Sequence, residues 1–304
     1  MSAQLPLLPD PPAALLAELE ATALELASLG GQEIEAGLGR ALSIDYKTAG
    51  KGDAAPRDPV SELDRSIEAL VRDRINARFP GHTVIGEEID GHPTADTEFL
   101  WVIDPVDGTS NFLNGFPLVA CSIGVLQHGR PIAGAIWCSS GRALRPGVYH
   151  ARLGGGLSFD GDPVDRGARE GLRRRLAAAP GGSSGGTPGW DHRVTGSAAI
   201  ECAFVAGGPF NSAIFFSPSI WDVAAGVLLV RAAGLEVRER APGKRAEWRP
   251  FVRFEAPDRV KEDRAPSLRD WRRPLLIGEL GPVNARIEAL QKRRGFRFPW
   301  QRRG

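Results

Sequence analysis

Phe99-Leu100-Trp101-Val102-Ile103-Asp104-Pro105-Val106-Asp107-Gly108-Thr109-Ser110-Asn111-Phe112 is the stretch on which the reading of this sequence turns. The apolar run Phe99–Ile103 predicts a strand; Asp104 and Asp107 follow it, and Gly108-Thr109-Ser110 then starts a helix or a tight turn. Charge is thereby placed where a strand ends. Hard divalent cations such as magnesium take carboxylate and carbonyl oxygens in near-octahedral array. A kink at Pro105 would turn Asp104, the Val106 carbonyl and Asp107 toward one point. Backbone amides of Gly108, Thr109 and Ser110 could then hold a phosphate. The competing reading of Asp-Pro-Val-Asp-Gly-Thr is a surface turn, since Asp, Pro and Gly are the usual turn formers.

Acid recurs at three other ordered boundaries. Thr83–Ile85 predicts a short strand that runs into Gly86-Glu87-Glu88, so a second strand ends in carboxylates, which repel unless a cation or proton is shared. A solvated loop is the alternative there. Trp221-Asp222 opens an apolar helix expected to reach about Ala233, with Gly234 as its stop; Asp222 either caps that helix or reaches a metal. Asp58-Pro59-Val60-Ser61-Glu62-Leu63-Asp64 resembles a capping-box variant, and Asp64 sits in the first turns of a helix marked by Ile67, Leu70, Val71 and Ile75.

Farther out, Asp10-Pro11 begins a helix whose stop is expected at Gly30-Gly31. Val119–Leu126 and Ile132–Trp137 predict a hairpin across His128-Gly129-Arg130, hence an antiparallel or mixed sheet. A helix is expected from Ser197 to about Ala206, and the Gly/Ser/Pro stretch from Ala179 to Gly189 as a mobile loop. Past Arg240 only Val283–Leu290 reads as helical.

Composition excludes several classes. At 304 residues the chain can bury a sizeable core. The net charge of +1 hides an asymmetry: residues 240–304 hold 18 Lys/Arg against 8 Asp/Glu, leaving 20 against 29 upstream, where the acidic motifs lie. Cys121, Cys138 and Cys202 are odd in number and set in apolar surroundings, which fits reduced core thiols and the cytoplasm. Met1 to Asp10 lacks the pattern of an export signal, and no apolar run approaches the ~20 residues that cross a bilayer, so no membrane association is expected. His82, His92, His128, His150 and His192 lack metal-ligand spacing and are expected in loops or at the surface. There is neither a Gly-x-Ser-x-Gly elbow nor a P-loop.

Taken in order, Asp58 to Asp64, Gly86 to Glu88, Asp104 to Thr109 and Trp221-Asp222 resemble the motifs of the inositol monophosphatase family, and Arg193 to Ala199 resembles its segment lining the second half of the site. The resemblance covers about Leu15 to Val237. It implies an α+β fold, a layered αβαβα sandwich of a single domain, with lobes of roughly 1–150 (metal and phosphate motifs) and 151–240 (substrate side, Asp222), and 241–304 as a divergent basic extension. It implies that Glu87, Asp104, the Val106 carbonyl, Asp107 and Asp222 bind two or three Mg2+ ions, which activate a water against a small-molecule phosphomonoester. Thr109 and Glu87 would orient that water, Asp64 would support Thr109 as base, and Gly108, Thr109 and Ser110 would bind the phosphate, with Asp107 and Asp222 also facing the substrate. A homodimer and lithium inhibition are implied as well; no nucleic-acid partner is expected, because the basic tail shows no recognisable module alternating basic and aromatic residues.

One departure bears on the substrate. Inositol-specific members carry an acid seven residues before the metal-binding aspartate, where this chain has Phe215, which cannot accept hydrogen bonds from ring hydroxyls. Inositol phosphate is therefore not expected to be the best substrate, and the classes open at this point are inositol-phosphate-like, sugar, histidinol and nucleotide-derived phosphates. The arginines past 240 are expected to form a solvated face. The alternative function is a regulatory, anion-binding protein that engages a partner through that basic tail.

Overall fold

A computed structural model describes residues 9–38, 44–46, 59–90, 97–167, 175–180, 190–241, 243, 247–258, 260 and 264–292. Asp58 and most of the 179–189 stretch lie outside them. In chain order the elements are α1 (Ala13–Gly37), β1 (Ile44–Tyr46), β2 (Pro59–Ser61), α2 (Glu62–Arg78), β3 (Thr83–Gly86), β4 (Phe99–Asp107), α3 (Thr109–Leu113), β5 (Ala120–Gln127), β6 (Arg130–Cys138), β7 (Gly147–Arg152), β8 (Ser158–Phe159) and β9 (Asp162–Pro163). They are followed by β10 (Arg175–Ala178), β11 (Trp190–Arg193), α4 (Ala198–Gly207), β12 (Ser212–Phe215), α5 (Ile220–Ala232), β13 (Glu236–Arg240), β14 (Trp248–Pro250), β15 (Leu275–Gly278) and α6 (Leu280–Lys292).

Strand β4 sets the layering. Its residues are buried on both faces, and they alternate: Trp101 and Ile103 join a core with Leu19, Leu26 and Ile34 of α1 and Ile67 and Val71 of α2, while Leu100 and Val102 join one with Ile200 of α4 and Val223 and Val227 of α5. The first sheet runs β3-β4-β5-β6-β7-β8-β9, the second β11-β10-β12-β15-β13-β14. Ala213, Leu275 and Ile277 of the second sheet share the α4/α5 core, and Ile214 and Leu276 face Val283 of α6 on its other side. The layers are therefore α1/α2, sheet, α4/α5, sheet and α6. The hairpin of β5 and β6 is antiparallel, and β3 beside β4 makes the first sheet mixed.

Helix α1 does not stop at Gly30-Gly31 but continues to Gly37. The two glycines serve close packing: a Cβ at Gly30 would lie 2.4 Å from Sγ of Cys121, and one at Gly31 would lie 2.4 Å from three atoms of the Trp137 ring. The intrinsic cost of glycine in a helix, about 1 kcal/mol per residue, is outweighed by what the close approach buries. Gly31→Val is expected to lower unfolding stability by about 3 kcal/mol, because overpacking against a buried ring displaces it. Urea denaturation checks this, and an unchanged midpoint would refute the packing role.

One histidine is neither in a loop nor at the surface, and His92 lies outside the described residues. His150 in β7 is 7 % exposed. Its Nδ1 lies 2.8 Å from Glu20 on α1, and its Nε2 accepts the Gly161 N–H, so the ring pins α1 to the sheet. His82 stacks on Phe79 and Phe99 and accepts from Trp101 Nε1 at 3.0 Å. Cys121, Cys138 and Cys202 are buried and unpaired. Residues past Arg240 contribute more than one helix: β15 lies between β12 and β13, and Trp271 packs edge-on against Phe251 and Phe254. Among the described residues no helix is long and apolar enough to cross a membrane.

Candidate active site

Parallel pairing of β3 with β4, Gly86 opposite Ile103, brings Glu87 and Asp104 out at the same sheet edge. Strand β4 runs on through Pro105 to Asp107 instead of ending at Ile103, and its register with β5 breaks between Asp104 and Asp107. That irregularity is the physical form of the expected kink. Gly108 then takes φ 94°, a left-handed conformation costly to residues with a Cβ, and α3 begins. The first bond of that turn runs from Phe112 N to Gly108 O, 2.9 Å, so the N–H groups of Thr109 and Ser110 precede the intrahelical ladder. Gly108 and Thr109 are half-buried and Ser110 is exposed.

Asp64, in the first turn of α2, is 1 % exposed, and the Thr109 hydroxyl lies within hydrogen-bond reach of its Oδ1 (3.1 Å) and of the Val106 carbonyl (3.0 Å). Asp222 caps α5, accepting the Ser219 N–H at 2.8 Å. Its capping role and its place in the acidic cluster are therefore compatible: burial first, then the charges of Asp107 and Glu87, drive its carboxyl well above the usual range. Burial does the same to Asp104, reinforced by Glu87, Asp107, Asp222 and Asp64. Asp104 is 1 % exposed, and among the described residues its Oδ1 has no hydrogen-bond partner. Asp107 is pushed up to about 6 by burial, held from going further by hydrogen bonds from the Ser197 hydroxyl (2.7 Å) and the Ala199 N–H (2.5 Å).

The structure brings Glu87, Asp104, Asp107, Asp222 and Asp64 within electrostatic reach of one another, although among the described residues no three His, Cys, Asp or Glu side chains are grouped so that they could hold a metal ion as placed. Like charges sharing one low-dielectric pocket need a cation or protons. Hard oxygen donors, a buried orphan oxygen on Asp104 and mutual repulsion fit a divalent cation of the magnesium type.

Several residues at this edge escape the sequence reading. Glu68, fully buried on α2, accepts the N–H groups of Glu88 (2.7 Å) and Ile89 (3.2 Å) and pairs with Arg72 at 2.7 Å. Its i, i+4 spacing with Arg72 reads as an ordinary helix-surface pair. Gly86 is required beside it, since a Cβ there would sit 2.3 Å from the Glu68 carboxylate. Asn111 bridges Leu118 O and Thr195 O, each at 2.8 Å. Glu201 accepts from the Thr195 hydroxyl at 2.9 Å and is raised to about 7 by burial. Phe215 is a core residue of β12, 7 % exposed.

The family model of the inositol monophosphatase family matches residues 15–269, most of the chain. The chain belongs to the inositol monophosphatase family. As a member it is a phosphoric monoester hydrolase, and the family's α+β layered fold is the one described above. Inositol-1-monophosphatase ImpA of Mycolicibacterium smegmatis is 34% identical over 215 residues, 64% of this chain and 76% of that protein. Nus factor SuhB of Salmonella typhimurium is 32% identical over 211 residues, covering 64% and 78%. Among solved structures, an IMPase/NADP phosphatase complexed with Mg2+ and phosphate superposes with a TM-score of 0.71 at 17% identity, over 94% of this chain and 99% of that one.

Proposed function

We propose that this family member is a magnesium-dependent phosphomonoesterase acting on a small soluble phosphorylated alcohol. The observation that carries the reading is Asp104, a buried carboxylate with an unpartnered oxygen, facing the charges of Glu87, Asp107, Asp222 and Asp64. Glu87, Asp104, the Val106 carbonyl, Asp107 and Asp222 would hold two or three Mg2+ ions. When bound, such ions lower the pKa of water and neutralise charge on the transferred phosphoryl group.

In this reading the chain's own groups do the rest. Asp64 accepts from the Thr109 hydroxyl and fixes its direction, so that Thr109 and Glu87 orient the attacking water and Asp64 stands behind as base. The amides of Gly108, Thr109 and Ser110 face the phosphate. Residues 1–150 supply these groups; residues 151–240 supply Asp222, which with Asp107 borders the alcohol. The buried, unpaired thiols support a reducing compartment such as the cytoplasm. The family resemblance supports a homodimer and inhibition by lithium.

A phosphate-release screen tests the proposal. Inositol, sugar, histidinol and nucleotide phosphomonoesters are offered with Mg2+ and with a chelator. Release that needs Mg2+ is expected on at least one of them, and none on any would overturn the reading. The likeness to SuhB, a Nus factor, favours a second reading, in which the fold engages a regulatory partner. That reading takes over if no ester is hydrolysed while the chain retains a protein partner at nanomolar affinity.

A further inference from the structure

Glu87 has no helix or long strand of its own to fix it; it sits in the loop that follows the four residues of β3. Its backbone is instead tied from two sides. From α2, Glu68 takes the N–H groups of Glu88 and Ile89, and Arg72 donates to Val84 O at 3.2 Å and Ile89 O at 3.1 Å. From the far end of the chain, Arg269 donates through Nη1 to Gly86 O and through Nη2 to Glu87 O, the latter at 2.8 Å. The same guanidinium lies 4.9 Å from the ring centroid of Trp221, the residue before Asp222. One planar cation therefore touches both arms of the acidic centre.

Arg269 is itself held. It belongs to a short 3-10 turn, Leu268–Asp270, in which Asp270 accepts the Ser267 N–H at 2.8 Å and a two-pronged pair from Arg264 at 2.8 and 2.6 Å. Leu268 and Trp271 anchor the turn in the core, at 2 % and 1 % exposure. The Arg269 side chain is only 14% exposed, and Arg272 flanks it on the Trp221 ring at 5.2 Å while donating to Arg269 O. The expected solvated face of arginines does not hold for this residue.

We propose that Arg269 is a positioning residue for the metal centre: its fork fixes the Gly86 and Glu87 carbonyls and its flat face fixes Trp221, so that Glu87 and Asp222 are set at one spacing before a cation arrives. This rests on the magnesium reading above. Only arginine fits the task, because a planar fork reaches two successive carbonyls while lying over the Trp221 ring, and the point charge of a lysine cannot. Groups that orient metal ligands from behind typically change metal affinity by about 10–100-fold when removed.

The test titrates Mg2+ alone into the full chain by calorimetry, for wild type, Arg269→Ala, Arg269→Lys and, as a control, Arg253→Ala. Melting midpoints in chelator are recorded alongside. Expected is a ~10–100-fold weaker Mg2+ dissociation constant for Arg269→Ala, little recovery in Arg269→Lys, and no change in the control. A higher Mg2+ requirement for phosphate release should accompany it, with kcat at saturating Mg2+ changed less than the half-saturating concentration. Should Arg269→Ala fail to fold, Arg269→Lys, which keeps the charge over Trp221, decides the matter by the same titration. Wild-type affinity in either variant, or a lowered midpoint with unaltered affinity, overturns the positioning role while leaving the metal site standing. Absence of Mg2+ binding in wild type overturns both.

Discussion

Asp104→Asn is expected to abolish phosphate release, by roughly 10³-fold or more, and at the same time to make the metal-free protein more stable. Both effects follow from one geometry. Asp104 is 1 % exposed, its Oδ1 has no hydrogen-bond partner among the described residues, and burial together with Glu87, Asp107, Asp222 and Asp64 drives its carboxyl well above the usual range. A carboxyl raised in the folded state contributes stability below its unfolded value of 3.8, and that contribution is lost as pH rises through the folded-state value. Asn keeps the shape and drops the charge. In chelator, the variant should therefore melt level with wild type near pH 4 and above it at pH 8. Added Mg2+ should reverse the order, because only wild type gains the full binding free energy. A variant that melts below wild type at pH 8 without metal would show that Asp104 is not a repelled charge, and retained turnover would remove it from the site.

Much of this site can be read in the sequence because each piece is punctuated locally. Val-Ile-Asp-Pro-Val-Asp-Gly-Thr carries a strand, a break and a turn within eight residues, and the pairing of β3 with β4 needs only adjacent short strands to bring Glu87 alongside. The family membership and the layered fold agree with what the resemblance implied about the fold. What escapes it depends on distance along the chain. Arg269 and Glu87 are separated by 182 positions, and nothing near Arg269 distinguishes it from the other arginines of a basic segment. Gly30 and Gly31 obey the rule for a helix stop, but the facing Cys121 and Trp137 decide otherwise. Counting back from Asp222 locates Phe215 without revealing its burial in β12, because inward and outward positions of a four-residue strand are set by the partner β15. Sequence position conveys proximity to Asp222 without conveying orientation.

Asp107 should respond differently from Asp104, although the two lie on the same strand. Its Oδ2 accepts the Ser197 hydroxyl at 2.7 Å and the Ala199 N–H at 2.5 Å, so one carboxylate both faces the acidic cluster and anchors the first turn of α4. Anions are favoured at that end of a helix. Asp107→Ala is expected to cost about 10³-fold in phosphate release through loss of the cation site. It also leaves a buried amide and hydroxyl without their acceptor, a penalty of about 1–3 kcal/mol. Burial holds the Asp107 carboxyl at about 6, so its favourable contribution is fully present below the unfolded 3.8 and is lost as pH rises through about 6. The destabilisation caused by Asp107→Ala, measured by urea unfolding in chelator, should accordingly be larger at pH 5 than at pH 8. The Ala199 amide should exchange its hydrogen faster in the variant at both values. An effect that grows with pH would mean that the charge of Asp107, not its hydrogen bonding, is what α4 depends on. Full activity in the variant would place the cation away from the end of β4, and the anchoring of α4 would then be the whole of what Asp107 does.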